Sequence, residues 1–154
     1  MRNTINPTLA MNAVASGLVG AAALTLLHET ARRTISNAPR MDVVGRRAIA
    51  GSLRAAGIDP PMGQKLQGVA MGMDVISNGL FYALIGLVRP KNALGGGSAI
   101  GTIAGLAAIA LPPVLGLGRK PTLRQPRTAA MTFAWYFAGA MAAAGTYRLL
   151  SEKR

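Results

Sequence analysis

Residues 8–27 read TLAMNAVASGLVGAAALTLL, and no Lys, Arg, Asp or Glu stands between Arg2 and Glu29. A helix of about 20 apolar residues crosses a hydrocarbon core roughly 30 Å thick, so this run predicts a membrane-spanning helix. It leads into HETARR rather than a small-residue cleavage site, which favours an uncleaved signal anchor over a removed signal peptide.

Three further runs of similar length follow. Residues 66–88 (LQGVAMGMDVISNGLFYALIGLV) are interrupted by one charge, Asp74. Residues 98–117 (SAIGTIAGLAAIALPPVLGL) follow Gly95, Gly96 and Gly97, read as a breaker, and contain Pro112 and Pro113. Residues 129–150 (AAMTFAWYFAGAMAAAGTYRLL) are uncharged up to Arg148, whose side chain can snorkel to the interface. Two adjacent prolines remove two amide donors and disfavour the helical region before each. The third helix is therefore expected to end near its prolines.

The expected fold is all-α: a polytopic four-transmembrane-helix bundle forming one integral membrane domain over residues 1–154. A soluble bundle would need polar outward faces at a helical period, which these runs lack. Transmembrane β-strands would alternate apolar and polar residues instead of running through Ala, Leu, Gly and Met on all sides. Composition agrees, because 14% charged residues and 51% hydrophobic residues lie far from the roughly 25% charged of soluble domains.

The net charge of +12 would suggest nucleic acid if it lay on a reading surface. It lies between the apolar runs, and no basic and aromatic surface accompanies it, so nucleic acid is not an expected partner. Arg32, Arg33, Arg40, Arg46, Arg47, Arg54 and Lys65 fall between runs one and two, and Arg119, Lys120, Arg124 and Arg127 between runs three and four. These are eleven of the 17 basic residues. Arg2, Arg89, Lys91, Arg148, Lys153 and Arg154 belong to the opposite side. The positive-inside rule then places both basic loops in the cytoplasm and both termini outside, in what is expected to be a bacterial inner membrane. Phe133, Trp135, Tyr136 and Phe137 stand where an interfacial aromatic belt would fall, and packing accounts for them equally well.

Residues 40–57 carry helix signals: Pro39 before them, Asp42 in the first turn, and Gly57 ahead of Pro60 and Pro61 at the end. Val44, Ala48, Ile49, Leu53 and Ala56 recur at three- and four-residue spacing, flanked by Arg46, Arg47 and Arg54. This predicts a short amphipathic interfacial helix. Its three arginines are candidates for anionic lipid headgroups at the cytoplasmic face, or the helix merely packs on the bundle.

Small residues at four-residue spacing mark candidate helix-packing rows, with Gly17 in run one, Gly68 and Gly72 in run two, Gly97, Gly101 and Gly105 in run three, and Gly139 in run four. Such rows let backbones approach closely in lipid, where packing rather than the hydrophobic effect joins helices. They serve helices of this chain, a second copy or another protein.

An ionisable group in hydrocarbon is costly unless paired or solvated. Asp74 and Asn78 share one face of run two, and His28 and Glu29 end run one, so the four form a candidate polar cluster. It reads as a cation or proton site, as an ion pair neutralised by Arg32 or Arg33, or as a partner contact. A single His and no Cys leave no zinc ligand set and no disulfide. No catalytic motif, cofactor motif or phosphate loop is present, so no enzyme, metal or cofactor is expected. Two functions remain: an accessory subunit or assembly factor of a membrane complex, joined to a membrane-protein partner or self-associating, or a homo-oligomeric transporter or channel using an intramembrane Asp/Glu site.

Overall fold

A computed structural model describes residues 6–152, which form helices joined by short connections. Arg2, Lys153 and Arg154, counted above on the less basic side, lie outside the described residues. Helix α1 spans Pro7–Thr34, with the Asn6 side chain accepting from the Thr8 amide and Pro7 in its first turn, an arrangement that satisfies one free amide and spares another. Helix α2 spans Met41–Ala55 and α3 spans Gly63–Tyr82. A 3-10 segment, Ala83–Leu87, extends α3, and a second, Pro90–Asn92, leads into α4 at Ala93–Val114. A four-residue helix α5, Lys120–Leu123, precedes α6 at Pro126–Glu152.

Three segments, Pro7–Thr34, Gly63–Leu87 and Pro90–Val114, are long and apolar enough to cross a membrane. The fourth expected span, 129–150, lies in α6, which has the length but falls short in apolarity. The expectation of four such spans is corrected to three. The physical reason is position, because α6 packs against both α4 and α1. Its inner face carries Thr128, Thr132, Tyr136 and Tyr147, all buried. The Thr128 hydroxyl donates to the Asn37 carbonyl and that of Thr132 to the Thr128 carbonyl. A helix shielded by its neighbours can carry such groups, provided that they are bonded internally.

The long helices alternate in direction. Near one end the Asn12 side-chain amide donates to the Leu150 carbonyl, which sets the start of α1 against the end of α6. At the opposite end, Arg40 donates its amide to the Pro121 carbonyl and the Arg47 guanidinium donates to the Leu117 carbonyl. The segments that join α1 to α2 and α4 to α6 therefore meet at one end of the bundle.

Glycines set the crossings. A Cβ on Gly17 would fall on the Gly79 carbonyl oxygen of α3, and one on Gly97 would come within 2.5 Å of the Ala144 side chain of α6. Gly101 faces Phe137 and Ala140, Gly105 faces Phe133, and Gly139 faces Tyr82 and the Gly20 carbonyl. Phe133 and Phe137 thus fill glycine notches of α4 and stack on each other at 6.0 Å. Gly68 and Gly72 differ, since a Cβ at either would meet nothing within 4 Å.

One local expectation changes. Gly95, Gly96 and Gly97 do not break the chain but lie inside α4, because Gly96 abuts Val88 and Gly97 abuts Ala144 at distances no side chain would permit. Helix α4 does end beside its prolines, as expected: Pro112 and Pro113 are still helical and Val114 is its last residue. Gly116, at φ +70°, closes it, with the Leu117 amide donating to the Pro112 carbonyl and the Gly116 amide to the Pro113 carbonyl. That is a Schellman motif. Gly57, at φ +73°, ends α2 the same way, through Ile58 to Leu53 and Gly57 to Arg54.

Candidate functional site

On α1 the residues Ala21, Leu24, His28 and Ala31 are buried, the three- and four-residue rhythm of a helix turned toward neighbours. On α3, Ala70, Asp74 and Asn78 form a row one turn apart, with α2 close above it: a Cβ on Gly45 would lie 3.7 Å from the Ala70 side chain. Between the three helices is a cavity of about 40 Å³, whose polar lining includes Thr25, His28, Glu29, Arg32, Asp42 and Asp74. It has room for a few water-sized groups.

The carboxylates in this cluster are treated unequally. Glu29 accepts from Arg32 at 2.7 and 2.5 Å and from Arg33 at 3.3 Å. Asp42 accepts two bonds from Arg40 at 2.8 Å and one from Arg46 at 3.5 Å. Burial alone would raise the Asp42 pKa, but the Arg40 hydrogen bonds and the charges of Arg40 and Arg46 outweigh it and hold the carboxyl below its ordinary value. Asp74 accepts from the Asn78 amide at 3.0 Å and has no ion-pair partner among the described residues.

His28 is 8% exposed. Its ring stands edge-on to Trp135 at 5.4 Å and to Tyr136 at 5.6 Å. Its Nε2 and the Thr25 hydroxyl are buried without a protein hydrogen-bond partner. Among the described residues no three His, Asp or Glu side chains are grouped to hold a metal ion. Asp74 and His28, each a group that can bind a proton, thus line the same small cavity.

Of the four residues singled out in the sequence, His28, Glu29 and Asp74 share this cavity. Asn78 is tied to Asp74 but faces a different crevice, between α3 and α4. Sequence reasoning took Asp42 only as a helix-start signal and passed over Thr25. Nothing in residue spacing says that α2 folds back onto α3. Among the lipid candidates, Arg46 is drawn to Asp42 and Arg47 to the Leu117 carbonyl, while Arg54 is exposed.

No protein-family model, curated protein or solved structure matches this chain.

Proposed function

We propose that this chain is a membrane-embedded accessory subunit or assembly factor whose partner docks on α3. The observation that carries this reading is the open row of Gly68 and Gly72. The glycines Gly17, Gly97, Gly101, Gly105 and Gly139 are taken up by crossings within the chain, but this pair faces empty space. Ile76 and Leu80, 52% and 64% exposed, continue the same face at four-residue spacing. A small-residue row flanked by aliphatic side chains is the surface on which a second helix packs in lipid. The basic end of the bundle faces the cytoplasm in this reading, and α6 crosses the bilayer shielded by α1 and α4.

A photoreactive residue in place of Val69 or Met73, beside the row, tests this in the native membrane. The expected product is a crosslink to one other membrane protein, lost when Gly72 is replaced by Leu. Crosslinks to lipid alone would end the reading.

A second reading has its own observation: Asp74 lacks a cationic partner and shares a cavity with His28. On this reading the chain conducts a proton or cation as a homo-oligomer. In proteoliposomes, Asp74→Asn would then abolish flux while leaving assembly intact, and unchanged flux would exclude Asp74 as the site.

A further inference from the structure

Helix α4 packs chiefly on α6, and α3 chiefly on α1 and α2. This leaves an open crevice of about 360 Å³ between α3 and α4, walled by Phe81, Ala104, Ala108, Leu111 and Leu115, with Ser77 and Asn78 on its α3 side. Ala104, Ala108 and Leu111 of that wall lie within the apolar segment Pro90–Val114, and Met41 and Val44 of α2 line the crevice too. At the basic end of the bundle the crevice adjoins a second hollow. Leu115 and Leu117, which line the crevice, also line this neighbouring groove with Arg46, Arg47 and Arg54. Arg47 in turn lines a cleft of about 690 Å³ together with Arg40, Arg119, Lys120 and Arg124. No carboxylate lines the groove or the cleft.

We propose that the crevice, the groove beside it and the basic cleft beyond the groove form one site for an anionic phospholipid, with an acyl chain against α4 and the phosphate among Arg47, Arg119, Lys120 and Arg124. Charge and shape converge on this occupant. Arg40 is neutralised by Asp42, but Arg119, Lys120 and Arg124 have no ion-pair partner among the described residues. Arg47 uses one donor on the Leu117 carbonyl and retains the rest of its five, and it lines both the groove and the cleft. Basic pockets at the ends of membrane helices select phosphate headgroups, and the apolar crevice above demands that the phosphate carry a chain. A soluble phosphate ester would satisfy the cleft but leave the crevice unfilled. The site requires the membrane-embedded bundle proposed above but not the docking of a partner on α3, so either idea can fail alone.

The test is native mass spectrometry of the full chain in detergent micelles, titrated with phosphatidylglycerol and phosphatidylcholine of identical acyl chains. Retention of phosphatidylglycerol is expected to be at least about a hundredfold tighter. Each basic residue near a charged headgroup contributes about fivefold, so Arg119→Gln, Lys120→Gln and Arg124→Gln combined should lower phosphatidylglycerol retention about a hundredfold and leave phosphatidylcholine unchanged. Ala108→Phe, which fills the crevice, should weaken both lipids, with thermal unfolding reporting that the variant is folded. Glycerol phosphate at millimolar concentration should displace neither. Equal retention of the two lipids, an unaffected triple variant, or displacement by glycerol phosphate would each overturn the proposal, the last by making the ligand a soluble phosphate.

Discussion

The Tyr82 hydroxyl, on a side chain with no exposed surface, donates to the backbone carbonyl of Tyr136 at 2.9 Å. This bond ties the end of α3 to the middle of α6. The same ring packs against Gly139, and a Cβ on Gly20 would approach its Cδ2 within 3.0 Å, so three helices meet around one aromatic side chain. Tyr82→Phe should lower stability by about 1 kcal/mol, the net worth of one buried hydrogen bond. Tyr82→Ala should cost about 3–5 kcal/mol through the cavity it leaves. Thermal unfolding in detergent, read by loss of helical circular dichroism, checks both values and their order.

The glycines divide into two classes with opposite expected outcomes. Gly17→Ala puts a methyl group on the Gly79 carbonyl, which is backbone and cannot swing away, so α1 and α3 must separate. A loss of about 1–3 kcal/mol is expected, the usual range for overpacking. Gly68→Ala meets open space and replaces a poor helix former by the best one, so stability should hold or rise slightly. The same unfolding assay distinguishes them, and equal losses would show that Gly68 is packed.

Acid should loosen the first turns of α2. The Asp42 carboxyl is held below its ordinary value by Arg40 and Arg46. Its contribution to stability is therefore complete above the unfolded value, about pH 4, and disappears as pH falls through the lower folded value. Hydrogen exchange of the α2 amides between pH 7 and pH 3 should show protection declining at the acidic end. Asp42→Asn should show the weaker protection at every pH and no such decline.

Topology can be read directly, since the chain has no Cys and each introduced thiol is unique. Gly57→Cys, after α2 at the basic end, should resist a membrane-impermeant maleimide in intact cells. Lys91→Cys and Glu152→Cys, at the other end, should label within minutes. The reverse pattern would invert the orientation.

The helical segments are legible in the sequence because uncharged runs of this length are rare outside lipid, and Gly57 announces the end of α2 by its position before two prolines. What cannot be read there is which apolar helix lies innermost. Thr132, Tyr136 and Tyr147 lower the hydropathy of α6, and only the contacts with α1 and α4 show that these groups are shielded. The Gly95, Gly96 and Gly97 run misleads for a related reason: low helix propensity is overridden where close approach to Val88 and Ala144 requires the absence of a side chain. At the polar cluster, His28, Glu29 and Asp74 can be related through antiparallel packing of neighbouring spans. Asp42 cannot, because its approach depends on the fold-back of α2 onto Ala70.

The mass of the particle released from the native membrane by gentle extraction, with every co-purifying chain identified, tests the accessory-subunit reading most directly. Other membrane proteins are expected in fixed ratio to this chain, lost when Gly68 and Gly72 are replaced by Leu while the bundle itself stays folded. A monomer or a homo-oligomer alone, unchanged by those substitutions, would contradict it.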